Sequence, residues 1–153
     1  MLRLLRLWCV PSLEDVSDMH QILLAVGSNY NRSKSIASVI RLLLERFGDV
    51  RFSEELLTEP IGTTATGEPY INFLVAGTTE KGVEEVVAEL KQLETLCGNT
   101  RSLRNEGKVV VDIDLMLYDA IRYHEADWKR GYIIELLEMF GYERHIQNTN
   151  NKD

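Results

Sequence analysis

Residues 109–119 read VVVDIDLMLYD, and the two aspartates inside this otherwise apolar run decide how the chain folds. Aliphatic residues and Met dominate, as in a strand that belongs in a core, yet Asp112 and Asp114 interrupt it one residue apart. Side chains alternate along a strand, so Val109, Val111, Ile113, Leu115 and Leu117 are expected to share a face beneath a layer of helices. Asp112 and Asp114 then share the other face with Val110, Met116 and Tyr118. Two residues of rise separate the two acids by roughly 6.6 Å, and at an effective dielectric of about 20 their charges repel by about 2 kcal/mol. Two arrangements relieve that repulsion: open water over an exposed sheet face, or a divalent cation held between the acids. A few hard carboxylate oxygens, with room left for water and phosphate oxygens, suit Mg2+ rather than Zn2+.

Outward from this strand, the hydrophobic pattern changes period several times. QILLAVGSN (residues 21–29) is a short apolar run ending in polar turn chemistry. Its Gly27–Asn29 end reads as a tight turn with helix-capping polarity rather than a phosphate cradle. From Ser33 to Phe47, the residues Ile36, Ile40, Leu43, Leu44 and Phe47 recur at helical spacing, and Gly48 is a natural stop. VRFSEELLTEP (50–60) and YINFLVAGTTE (70–80) read as an antiparallel pair of strands across the Gly- and Thr-rich loop 62–69. A second helix is expected over Val83–Cys97, followed by the polar loop NTRSLRNEGK (99–108) and then the aspartate strand. A shorter helix is expected from about Asp127 to Phe140, with Ile133, Leu137 and Phe140 in register.

Up to Asp119 the order is βαββαβ. This is an α+β, ferredoxin-like sandwich: one antiparallel sheet with helices on one face, plus a C-terminal helix. The 153 residues suffice for one ordinary core, and 44% hydrophobic with 27% charged residues is a globular composition. We expect a single domain over residues 19–143, a loosely attached extension over 1–18 and a polar tail over 144–153. The start MLRLLRLWCV is broken by Arg3 and Arg6 and is a poor leader peptide, too short to span a membrane. The net charge of −7 argues against nucleic acid and against anionic lipid as partners. Two cysteines, Cys9 and Cys97, make neither a disulfide framework nor a zinc cluster, which fits a cytoplasmic protein.

AVGSN (25–29), TEPIG (58–62), PYINFLVAG (69–77), LETLCG (93–98), the aspartate strand and HEADWKRGYIIELL (124–137) follow one another in a set order. The series resembles the 6-hydroxymethyl-7,8-dihydropterin pyrophosphokinase family, over roughly Ile22 to Leu137. That resemblance implies a folate-pathway transferase that moves pyrophosphate from ATP to a pterin and releases AMP. It implies two Mg2+ ions held by Asp112 and Asp114, with Arg101 as a further catalytic cation. It places Glu94, Arg101, His124 and Arg130 at the nucleotide. Thr58, Pro60, Ile61, Tyr70, Asn72 and Tyr132 would form the pterin pocket, with the two tyrosines stacking on the ring. ATP and the pterin are the expected partners of a monomer.

The chain departs from the family's pattern where that pattern carries arginines and a sealing tryptophan: Asn99, Glu106 and Val109 stand there instead. The segment between Asp114 and His124 is also short. A pterin- and nucleotide-binding relative with impaired catalysis is therefore a second reading. An RNA-binding ferredoxin-like module is a remote third, because it calls for basic and aromatic residues where this strand offers two acids.

Overall fold

QILLAVGS supplies the centre of the sheet because both of its faces are covered. In the computed structural model, which describes residues 19–60 and 67–142, β1 (His20–Ser28) pairs antiparallel with β4 (Tyr70–Thr79) on one side and β5 (Asp112–Tyr118) on the other. The expectations for residues 1–18 and 144–153 lie outside the described residues, as does that for Ile61. The sheet runs β2-β4-β1-β5-β6, with β2 at Gly48–Phe52 and β6 at Ile121–Arg122, and β3 (Leu56–Thr58) also pairs with β4. Every pairing is antiparallel, so the ferredoxin-like order expected from the sequence is the observed one.

The helices α1 (Arg32–Arg46) and α2 (Val83–Leu96) lie on one face. Their stripes Ile36, Val39, Leu43 and Val86, Leu90, Leu93 pack with Ile22, Leu24, Val26, Phe73, Val75, Ile113 and Leu115. The C-terminal helix α4 (Gly131–Phe140) covers the opposite face, where Ile133, Leu136 and Leu137 meet Leu23, Leu74, Ala76, Met116 and Leu117. The sheet is thus sandwiched, which is why its central strands read as continuous hydrophobic runs.

Four local expectations need correction. First, β5 begins at Asp112, so Val109 is not in the ladder. Val110 and Val111 are both buried in the core beneath α1 and α2, which strict alternation forbids. Asparagines hold this lead-in: Asn29 exchanges bonds with Val109 (N–H to Asn29 Oδ1, 2.6 Å; Asn29 N–H to Val109 O, 3.0 Å). Asn99 accepts from Val111 N–H at 3.1 Å and donates back to its carbonyl. Asn29 therefore clamps the lead-in to β5 instead of capping a helix.

Second, the register jumps between Leu23↔Leu117 and Leu24↔Leu115, leaving Met116 as an extra residue. This bulge moves Leu117 to the α4 face and Tyr118 to the α1–α2 face, the reverse of simple alternation. Third, the loop 99–108 contains a five-residue helix, α3 (Arg101–Asn105), capped by Thr100 Oγ1 accepting from Leu103 N–H at 3.1 Å. Fourth, the last helix is broken. A 3-10 turn at Asp127–Lys129 is separated from α4 by extended Arg130.

Helix α4 ends at Gly141 (φ +71°), with Gly141 N–H on Glu138 O and Tyr142 N–H on Leu137 O, each at 3.1 Å. That pair of bonds closes the helix as a Schellman cap does. Helix α4 leaves one end of its sheet face uncovered.

Candidate active site

The uncovered end collects side chains from three adjacent strands. Gly27 of β1 faces Asn72 of β4 on one side and Asp112 of β5 on the other, and Ala25 faces Asp114. Asn72 and Asp112 are therefore two strand spacings apart, roughly 9.6 Å, across a glycine floor. The floor must be glycine: a Cβ at residue 27 would lie 2.8 Å from Asn72 Oδ1 and 3.5 Å from Tyr70 Cδ1. Asn72 Nδ2 donates to Thr58 Oγ1 at 2.5 Å, which fixes the amide and leaves its oxygen pointing over Gly27.

This trough is a pocket of about 290 Å3, lined among others by Gly27, Thr58, Tyr70, Asn72, Asp112, Asp114, Asp127, Arg130 and Tyr132. Tyr132 reaches it from the first turn of α4. Burial raises both tyrosine hydroxyls above their usual range, so each is a neutral donor rather than a phenolate. Four of the residues expected around a pterin, Thr58, Tyr70, Asn72 and Tyr132, come together here. Pro60 does not line the pocket.

A second, larger pocket of about 770 Å3 lies on the other side of the acids, beside α2 and α3. Glu94, Arg101, Arg104, His124 and both aspartates line it. Three of the four residues expected at a nucleotide, Glu94, Arg101 and His124, are gathered here. The fourth, Arg130, lines the smaller pocket instead, where its Nε donates to Asp127 Oδ1 at 2.8 Å. Asp112 and Asp114 are the shared wall between the two pockets.

The acids strongly repel one another. Burial, and next the Asp112 charge, push the Glu94 carboxyl up to about 7. The same two causes, in the same order, raise Asp114. Arg104 answers in part, its Nη2 lying 3.1 Å from Glu94 Oε2 and 3.3 Å from Asp112 Oδ1, and the His124 ring stands beside Asp114 with Nε2 3.9 Å from Oδ1. His124 holds an uncommon φ of +54°, and its Nδ1 stands 4.0 Å from Asp127 Oδ2. Trp128 Nε1 ties this turn to Tyr123 O at 2.9 Å, and Arg122 stacks on the indole at 4.4 Å.

Among the described residues no group of three or more His, Cys, Asp or Glu side chains is placed to hold a metal. What the site offers is a carboxylate pair, partly exposed, between two cavities. That donor set fits Mg2+, which binds through one or two carboxylates and keeps its other positions for water and phosphate oxygens.

Sequence reasoning offered Arg104 and Lys108 only as substitutes for the arginines that the loop lacks, and it gave Asp127 and Gly27 no place in the site. Asp127 carried a weak signal in its spacing of three from Arg130. Gly27 carried none, because its role depends on a neighbour in a different strand.

The pattern that defines the 7,8-dihydro-6-hydroxymethylpterin-pyrophosphokinase family matches residues 23–140. The chain is 28% identical over 141 residues to a mitochondrial folate synthesis bifunctional protein of Arabidopsis thaliana, covering 85% of this chain and 25% of that protein. It is 25% identical over 142 residues to the protein of the same name from Pisum sativum, covering 85% and 27%. The chain thus spans about a quarter of the length of the curated relatives it matches.

Proposed function

This chain belongs to the 7,8-dihydro-6-hydroxymethylpterin-pyrophosphokinase family, and from that premise we propose that it transfers pyrophosphate from ATP to 6-hydroxymethyl-7,8-dihydropterin. The hydroxymethyl oxygen forms a bond to the β-phosphorus, the bond from that phosphorus to the α-phosphate oxygen breaks, AMP leaves, and the hydroxyl proton passes to solvent. The observation that carries this reading is the position of Asp112 and Asp114 as the common wall of two pockets. A group transferred from a ligand in one pocket to a ligand in the other must pass these two side chains.

In this reading the smaller pocket takes the pterin. Tyr70 and Tyr132 offer ring faces, and the Asn72 amide, locked by Thr58, reads the polar edge. Magnesium bound with the nucleotide would neutralise oxygen charge on the phosphates as the transfer proceeds. Asp112 and Asp114 would hold it, and Arg101, Arg104 and His124 line the phosphate side. The enzyme's own task is positioning and charge compensation, which is most of what phosphoryl-type transfer requires. We place the protein in the cytoplasm as a monomer, although both relatives are named mitochondrial. No helix among the described residues is long and apolar enough to cross a membrane.

A coupled AMP assay tests the proposal. AMP should form only with Mg2+, ATP and the pterin together, and Asp112→Ala should lower the rate by about 100-fold or more. Equal rates in the two proteins would remove the carboxylate pair from the mechanism.

A second reading, a ligand-binding relative with impaired catalysis, is favoured by one observation. Asn99 and Val109, which stand where the resemblance implies arginines, are engaged with the backbone of Val111 and with Asn29. Pterin binding without AMP release under the same conditions would select it.

A further inference from the structure

We propose that Arg104 occupies the cation position between the acids until a divalent ion arrives, and that the displaced guanidinium then grips the nucleotide phosphates. The proposal rests on the reading of Asp112 and Asp114 as metal ligands and adds to it a role for Arg104 before the ion arrives. One nitrogen, Nη2, carries the contact: it donates to Asp112 Oδ1 at 3.3 Å and to Glu94 Oε2 at 3.1 Å. It thereby joins an acid of β5 to an acid of α2 that would otherwise face each other uncompensated. An ion bound through Asp112 Oδ1 needs the oxygen that Arg104 holds, and two cations cannot share it without mutual repulsion.

The contact is built to separate. The Arg104 side chain is 43% exposed and that of Asp112 is 45% exposed, so water competes for both. The contrast is with Glu89, whose carboxylate is 5% exposed and is met by both Lys81 and Arg46, so that water reaches the cations but not the acid. Arg104 stands in the last turn of the five-residue α3, whose start is fixed by the Thr100 cap. Once released it remains on the wall of the larger pocket. Arginine suits the second role because its planar fork matches phosphate oxygens. Asn99 and Val109 cannot take that role, since both are committed to the lead-in of β5.

The test uses the full chain without pterin. Mn2+ is titrated by electron paramagnetic resonance into the wild type, Arg104→Gln and Lys91→Gln; Lys91 lines the same pocket and controls for the loss of one positive charge. Arg104→Gln should bind Mn2+ more tightly, by up to about fivefold, the factor equivalent to an exposed ion pair. Lys91→Gln should stay within about twofold of the wild type. ATP binding in excess Mg2+, read by calorimetry, should weaken by about tenfold or more in Arg104→Gln.

If the wild type binds Mn2+ and Arg104→Gln binds it no tighter, the proposal falls while the metal reading stands. Equal tightening in Lys91→Gln also overturns it, since bulk charge would then explain the effect. Mn2+ bound by neither protein overturns both readings, and unchanged ATP affinity removes the second role of Arg104.

Discussion

Single side chains set the geometry of this site more sharply than its charges do. Gly27 leaves the space over which Asn72 extends its amide oxygen, and a Cβ there would lie only 2.8 Å from that oxygen. Gly27→Ala would push that amide away and break its 2.5 Å bond to Thr58. The sheet's hydrogen bonds do not depend on it, so the chain should fold. Pterin affinity, measured by fluorescence titration, should fall by about tenfold, the scale of one well-made hydrogen bond with its neighbour disturbed. Unchanged affinity would show that the trough over Gly27 is not where the ring lies.

At the scale of elements, the amphipathic helices and the order of the strands were legible because each follows a period in the sequence. Helix α1 was expected over 33–47 and runs from Arg32 to Arg46; α2 was expected over 83–97 and runs from Val83 to Leu96. Helix α3 was hidden because its five residues hold one apolar side chain, Leu103, and so carry no stripe; its mark was the capping threonine. The Met116 bulge was hidden because apolar residues lie on both sides of it, so a phase slip leaves no trace in composition. For the site, the paired acids and the Tyr70–Asn72 pair were legible as same-face neighbours on their strands. The arginine that meets the acids was not, since its partners come from two other elements.

The start of β5 yields a prediction at this scale. Asn99 satisfies both backbone groups of Val111, a fully buried residue. Asn99→Ala leaves them unpaired and should cost about 1–3 kcal/mol in denaturant unfolding. A change under about 0.5 kcal/mol, the noise of a surface substitution, would mean that water replaces the amide.

For the molecule as a whole, the site's acids couple stability to pH. The Glu94 carboxyl is pushed up to about 7 from an ordinary value of 4.5, so between those values the folded protein holds a proton that the unfolded chain has released. Its stabilising contribution is fully present below pH 4.5 and is lost as pH rises through 7. Asp114 is raised as well and acts in the same direction. Without divalent ions, the melting temperature should decline as pH rises across that window. Glu94→Gln should flatten the decline, and Mg2+ with ATP should oppose it. A melting temperature that climbs over the same interval would contradict this assignment.

The Met116 bulge makes β5 work like a coupling between two shafts. Upstream of it the strand answers to chemistry, with Asp112 and Asp114 in step across the mouth of two cavities. Downstream it answers to packing, with Leu117 and Tyr118 seated in opposite cores. The spare residue absorbs the mismatch, so the hairpin through β6 can drift in length and composition without turning the acids out of line. A lineage that shortened the stretch between Asp114 and His124 could therefore keep its two aspartates aligned, because the slip is taken up before it reaches them.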